Sequence, residues 1–232
     1  MAFPPQGLSF RWYRELLASP DFLEALTISA EVALATSLLA VLLSLPAAFA
    51  IVRFRLPGAS FVEAALLSPL AVPHVVIGIG ILQIYSQIGI RTDLATLTLG
   101  HLIITVPFAL RMLIASLSGL DLRTEQAAAS LGAPPRQVLL TIVLPQLKVG
   151  LLGALVAAFI ISFDDLALTV FLAQPGFATV PILLFSEAEN NPGPMIHAAS
   201  VILLLASWAA LFTIDRLVGL ERLMLGKGAR LT

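Results

Sequence analysis

Five long apolar stretches, separated by short polar clusters, set the pattern of this chain: Ala25–Val52, Ser60–Tyr85, Leu94–Leu117, Leu147–Ala173 and Ile196–Val218. Each is at least as long as the roughly 20 helical residues that cross a hydrocarbon core about 30 Å thick. Charge inside them is sparse. Glu31 lies in the first, Glu63 in the second and Arg111 in the third; the fourth has Lys148 at its start and the pair Asp164-Asp165, and the last is uncharged from Ile196 to Ile214. Strand-like alternation, the mark of a membrane barrel, is not seen, and lipid offers no partner to open backbone groups. The pattern predicts an all-α integral membrane protein with five transmembrane helices.

Local signals refine the boundaries. Ser19-Pro20-Asp21 has the cap, first-turn proline and early acid that start a helix sharply. Before it, Phe10–Leu17 interleaves Phe10, Trp12, Tyr13, Leu16 and Leu17 with Arg11, Arg14 and Glu15, as in an amphipathic segment lying at the membrane surface. Pro46, Pro69, Pro73 and Pro107 fall inside spans and predict kinks or breaks. Gly78-x-Gly80 and Gly150-x-x-Gly153 fit close helix packing better than ligand binding.

Composition agrees with this reading. The 232 residues are 59% apolar and 12% charged, with a mean hydropathy of +0.99, against about 45–50% and about 25% in soluble domains. A net charge of −1 with scattered Lys and Arg offers no basic surface for nucleic acid. The absence of cysteine excludes disulfides and thiolate metal sites. Orientation follows from the basic residues. Ten of the thirteen (Arg53, Arg55, Arg111, Arg123, Arg136, Lys148, Arg216, Arg222, Lys227 and Arg230) fall on one side of the alternating helices, and three (Arg11, Arg14 and Arg91) on the other. The positive-inside rule places the larger set, and with it the C-terminus, in the cytoplasm.

The longest cytoplasmic connection, Ser118–Gln146, is a candidate docking element. Thr124 can cap a short helix containing Ala127, Ala128 and Ala129; Gly132 suits a left-handed helix end; Pro134-Pro135 opens a second piece that Pro145 stops. The result is a helix–Gly–helix elbow. Its small alanine face, with Ile142, Val143 and Leu144 beyond, is apolar for a solvated loop and favours contact with another surface.

This segment resembles the EAA loop of permease subunits of binding-protein-dependent ABC importers. That pattern has Glu-Ala-Ala, three residues, Gly, nine residues and Ile-x-Leu-Pro, matched here by Ala127, Ala128, Gly132, Ile142, Leu144 and Pro145. The family glutamate falls on Gln126, which hydrogen-bonds without charge, and Glu125 stands one place earlier. Leu8-Ser-Phe-Arg-Trp-Tyr13, Arg53-Phe-Arg-Leu-Pro-Gly58, Leu67-Ser-Pro-Leu-Ala-Val-Pro-His74 and Ser162-Phe-Asp-Asp165 are similar to the spermidine/putrescine type. The resemblance implies an importer-permease fold and an expectation that the family's first helix, of six, is missing here. It implies an external segment over 1–24, a permease domain over 25–219 with its coupling loop at 118–146, and a cytoplasmic tail over 220–232. It further implies an inner-membrane transport subunit rather than an enzyme, binding no cofactor itself. ATP and Mg would sit on partner ATPase subunits, beside a second permease subunit and an extracytoplasmic solute-binding protein. Glu125, Gln126, Ala127, Ala128, Gly132, Ile142, Leu144 and Pro145 would form the ATPase-coupling site. The chain has no G-x-x-x-x-G-K-[ST] phosphate cradle; Gly226-Lys-Gly228 lacks the spacing and the hydroxyl. Phosphonate and ferric iron importers share most of this pattern, and a self-sufficient ion-coupled carrier is the competing class.

Asp164-Asp165 is the remaining feature. Carboxylates in hydrocarbon should face a cavity or a partner, and a count along the fourth span puts these roughly 25 Å from Leu147. One could face a solute path, where a cation would be attracted, while the other caps a break; a hydrogen-bond or subunit contact is the alternative. His74, His101 and His197 lie on different spans without an H-x-x-x-H pair, which fits packed imidazoles rather than a metal site. Glu31 and Glu63 sit singly near span ends.

Overall fold

The computed structural model describes residues 9–54, 56–174, 176–190 and 193–218. The expected tail over 220–232 lies outside them, as do Arg55, Arg222, Lys227 and Arg230 of the basic set. The described residues form helices α1 (Arg11–Ala18), α2 (Pro20–Val52), α3 (Ala59–Leu67), α4 (His74–Ile88), α5 (Leu94–Ser118), α6 (Leu122–Ser130), α7 (Pro135–Val138), α8 (Leu144–Phe163), α9 (Thr169–Leu172), α10 (Val180–Asn190) and α11 (Pro194–Val218). Three of them, taking α7 through α8 as one rod (Pro135–Phe163), are long and apolar enough to cross a bilayer: α2, α5 and that rod. The bent pair Ala59–Ala71 and His74–Ile88 makes a fourth when counted as one span, and the apolar part of α11, Pro194–Ala209, occupies the fifth expected position.

Helix α2 begins as its sequence indicates. Ser19 accepts the Phe22 N–H at 3.4 Å, Pro20 opens the first turn and Asp21 follows. Helix α5 starts from a reciprocal cap in which Asp93 accepts the Thr96 N–H at 2.8 Å and the Thr96 hydroxyl meets the Asp93 N–H at 2.8 Å. These bonds, the Thr96 N–H first, hold the Asp93 carboxyl below its ordinary value. Because the folded value is lowered, the cap is complete above about pH 4 and is lost as pH falls through that lowered value.

Helices α2, α5 and α8 form the core, and α5 is the innermost: 61% of its most apolar stretch is covered by protein, against 28% for α2 and 33% for the rod. Their contact is built from small residues, with Ala40, Ala48, Ala109, Ala154 and Ala158 fully buried beside Leu110 and Leu113. Lipid tails are as apolar as leucine, so helices associate in a bilayer through close backbone approach and interhelical hydrogen bonds. Ser44 on α2 donates to the Val106 carbonyl on α5 at 3.3 Å. At Gly150 the approach is closest, since a Cβ there would collide with the Ser116 side chain.

Three expectations need correction, while the second span, Ser60–Tyr85, is broken as its prolines predict: Pro69 lies in a 3-10 turn (Ser68–Ala71), Pro73 follows it, and the two arms meet at a 102° bend. The fourth, Leu147–Ala173, ends at Phe163, so Asp164-Asp165 lie in a break before the short α9 rather than on adjacent helical positions. Pro145 does not stop a helix. The π-helical turn Leu139–Val143 admits an extra residue, with the Leu144 N–H reaching the Leu139 carbonyl, and Pro145 then falls in the first turn of α8, where its missing N–H costs nothing. Thr124 does not cap α6; Asp121 does. By contrast Pro46 and Pro107 sit within continuous helices. The connection after the fourth span holds an unexpected helix, α10, anchored by the buried Val180 and by its N–H bonded to Ser29 Oγ at 2.8 Å.

Gly150→Val is expected to push α8 off α5 and destabilise the protein by about 1–3 kcal/mol. The measurement is the thermal midpoint of the detergent-solubilised chain. Ser116→Gly in the same chain should recover part of the loss, and a wild-type midpoint for Gly150→Val would contradict the close packing.

Candidate functional site

Two groups of side chains stand out, one at each end of the Pro135–Phe163 rod. The first is the elbow. Asp121 Oδ1 accepts the Arg123 N–H at 2.9 Å, and the Thr124 hydroxyl donates to the Asp121 carbonyl at 2.8 Å, which starts α6. Its end is a Schellman turn: the Ala133 N–H bonds the Ala128 carbonyl at 3.1 Å and the Gly132 N–H bonds the Ala129 carbonyl at 3.0 Å. Gly132 has φ +86°, a left-handed conformation that a side chain would strain. Ala128 and Ile142 pack on the buried cluster of Leu117, Val138, Val143 and Leu147. Gln126, Ala127 and Pro145 are exposed, Leu144 is half-buried, and Leu131 beside Gly132 is 89% exposed. The elbow is thus seated by one face and presents the other.

Glu125, one place before the family glutamate position, carries the charge here. Its Oε1 lies 2.9 Å from Arg53 Nη2 at the end of α2. The N–H groups do not point at the oxygen, so the attraction is coulombic; Arg53 Nε and Nη2 and Glu125 Oε1 are buried without an aligned hydrogen bond. Gln126 makes no such contact and lines the cleft between α2 and the elbow. Arg53 is absent from the candidate residues read from sequence. Its basic charge at the end of the first span is the signal that could have found it.

The second group lies beyond the far end of α8, one α8 length (about 30 Å) from Leu144. Asp165 is buried and Asp164 exposed. Asp165 Oδ2 accepts the N–H groups of Leu168 at 2.9 Å and Thr169 at 3.2 Å, capping α9. Its Oδ1 accepts from His74 Nδ1 at 2.8 Å, at the first residue of α4. Thr169 Oγ1 donates to the Asp165 carbonyl at 2.8 Å, so its oxygen accepts from His101 Nε2 at 2.9 Å. His101 Nδ1 then accepts the Ser162 hydroxyl at 2.7 Å. One polar chain, His74–Asp165–Thr169–His101–Ser162, therefore joins α4, α5, α8 and α9 inside the apolar body. Sequence reading left these histidines unrelated because they lie on different spans. Among the described residues, no three His, Asp or Glu side chains converge as metal ligands would.

A bundle of apolar helices with a broken span, a polar-pinned break and a protruding elbow is the form of a membrane transport subunit. Residues 40–220 match the family model described as a binding-protein-dependent transport system inner membrane component. The chain is 32% identical over 205 residues to the putrescine transport system permease protein PotI of Escherichia coli (strain K12), covering 85% of this chain and 73% of that protein. It is 28% identical over 202 residues to the spermidine/putrescine transport system permease protein PotC of the same organism, covering 87% and 76%. It is 27% identical over 215 residues to the putative 2-aminoethylphosphonate transport system permease protein PhnV of Salmonella paratyphi A, covering 92% and 81%. In fold it is similar to a chain of an amino acid ABC transporter with histidines (TM-score 0.64, 16% identity, 92% of this chain and 98% of that one). It is also similar to a chain of the inward-facing MetNI methionine ABC transporter (TM-score 0.66, 16% identity, 86% and 97%). The chain belongs to the binding-protein-dependent transport system inner membrane component family: it is an ABC importer permease subunit of the inner membrane, a transport protein and not an enzyme.

Replacing Asp165 tests the polar chain. Asp165→Ala leaves the Leu168 and Thr169 N–H groups and the His74 ring without their acceptor, at about 1–3 kcal/mol for each buried donor stranded. Asp165→Asn keeps one acceptor oxygen and should cost less. Thermal midpoints in detergent should fall in that order, and an Asp165→Ala protein as stable as wild type would contradict the pinning role.

Proposed function

We propose that this permease carries a small organic cation of the polyamine type inward, coupled to ATP hydrolysis on a partner chain. The observation that carries the coupling half is the elbow: a short helix seated on α8, ending at a left-handed Gly132, with Leu131 and the Gln126–Ala127 face free to be covered. Glu125, Gln126, Ala127, Ala128, Gly132, Ile142, Leu144 and Pro145 form this coupling site. Two ATPase subunits holding ATP and Mg dock there, a second permease subunit completes the path, and an extracytoplasmic binding protein delivers the solute. The chain crosses the membrane five times, with the elbow and the C-terminus cytoplasmic, as the distribution of basic residues supports. Rocking of the helix bundles then alternates access.

The relatives named for putrescine and spermidine support a polyamine, and Asp164 gives it a chemical basis. That carboxylate is exposed at the break after α8, whereas Asp165 is committed to His74 and to α9. A protonated amine is a fitting partner for a single free carboxylate near the membrane surface. The relative named for 2-aminoethylphosphonate favours a second reading, in which the same carboxylate meets an ammonium group on a zwitterionic solute.

Tagging the chain in its host and identifying what co-purifies from gently solubilised membranes tests the assembly. An ATPase, a second permease and a binding protein are the expected companions; the chain alone, still active in uptake, would overturn the coupling reading. Gly132→Asp places a charge and a strained side chain at the elbow and should abolish both ATPase recovery and ATP-driven uptake. Asp164→Asn should lower uptake of labelled putrescine several-fold, and competition by 2-aminoethylphosphonate separates the two solute readings. Unchanged uptake in Asp164→Asn removes that residue from the path.

A further inference from the structure

Between the end of α2 and the elbow lies a cleft of about 780 Å³, lined on one wall by Leu45, Phe49 and Arg53 and on the other by Arg136, Leu139 and Leu144. That volume falls within the roughly 300–1,000 Å³ of ligand-sized pockets. Its chemistry is graded along its length. Arg53 and Leu45 are eight residues apart on α2, and Arg136 and Leu144 eight apart on the rod, so each wall runs about 12 Å from a basic end to an apolar one. The basic end coincides with the helix ends at the membrane surface, and the apolar end points into the bundle's hydrocarbon zone. An exposed apolar side chain, Phe54 (70% accessible), lines it beside Arg53.

The basic end is unfinished. The Arg53 side chain is only 10% exposed, and while its Nη2 lies 2.9 Å from Glu125 Oε1, its Nε is buried without a hydrogen-bond partner. A buried N–H left without an acceptor is costly unless one reaches it. Two arginines against the one glutamate lining this end leave it net positive, with Arg136 exposed at the mouth. Arginine's planar fork suits a phosphate oxygen pair.

We propose that this cleft is a binding site for an anionic phospholipid of the cytoplasmic leaflet. The phosphate sits on Arg53 and Arg136, and an acyl chain lies along Leu45, Phe49, Leu139 and Leu144. Basic pockets between helices at the cytoplasmic surface select anionic headgroups by this means. A bound lipid would wedge the elbow against α2 through Arg53, the residue that also faces Glu125. The inference rests on the reading that the elbow is cytoplasmic.

Native mass spectrometry of the full chain in mild detergent tests it, with phosphatidylglycerol and phosphatidylcholine of identical acyl chains as probes. Phosphatidylglycerol should be retained preferentially, and Arg53→Gln and Arg136→Gln should each weaken its retention about fivefold, the contribution of one basic residue near an anionic headgroup. Arg136 is exposed, so its variant keeps the test available if Arg53→Gln does not fold. Ala129→Phe, which fills the cleft, should reduce retention of both lipids. Equal retention of the two lipids, insensitivity to both arginine variants, or displacement of phosphatidylglycerol by inorganic phosphate alone would overturn the site. Loss of lipid when the ATPase and second permease assemble would overturn it too, because a protein surface would then fill the cleft. None of these readouts uses ATP or uptake, so lipid selectivity without ATPase recovery would count against the coupling reading alone.

Discussion

A peptide group inside hydrocarbon has no water to bond to, so every interruption of a membrane helix must be closed by something else in the protein. Among the described residues two such interruptions fall in the apolar body, Ser68–Pro73 between α3 and α4 and Asp164–Leu168 between α8 and α9. One carboxylate, Asp165, caps the N–H groups that open α9 and ties that break to the other by accepting from the ring of His74, which opens α4. The cost of burying that charge is offset by its three donors, the N–H groups of Leu168 and Thr169 and the ring of His74. The broken architecture of the bundle depends on this one side chain being where it is.

Packing around the breaks uses small residues rather than large ones. Ala40, Ala48, Ala109, Ala154 and Ala158 bring α2, α5 and α8 together, and the absence of a side chain at Gly150 lets Ser116 fit between α5 and α8. The resulting rod, Pro135–Phe163, is continuous from the elbow to the pinned break because the π-turn at Leu139–Val143 absorbs Pro145. A single rigid element therefore joins the surface where Gly132 turns the chain to the place where Asp164 is exposed. Movement applied at one end of a helix held by close contacts is transmitted along it with little loss.

The two acids of the pair illustrate how adjacent residues divide roles. A helical Asp164-Asp165 would have sent two carboxylates to directions about 100° apart on one cylinder. Ending the helix at Phe163 instead turns Asp165 inward to its donors and leaves Asp164 outward. Likewise at the elbow, the charge that the family pattern puts at Gln126 is carried one residue earlier, and Glu125 meets Arg53 from a helix more than sixty residues away in sequence.

Much of this was legible in the chain alone. Long runs without charge determine helices in lipid, because no other backbone arrangement satisfies itself there; Ser19-Pro20-Asp21 and Gly132 mark a helix start and a helix end through local bonds that need no distant partner. The EAA-like spacing from Ala127 to Pro145 is equally local and carried the family. What the sequence did not determine depends on partners remote along the chain. Whether Pro69 and Pro73 kink or break a span, whether Pro145 stops a helix, and where the fourth span ends were decided by the side chains waiting across the bundle. The link from His74 to Asp165, and from His101 to Ser162 and Thr169, exists only after three spans are packed, since each donor and acceptor is selected by proximity in space. Hydrophobic length is a property of a segment, but satisfying a buried polar group is a property of the assembled fold.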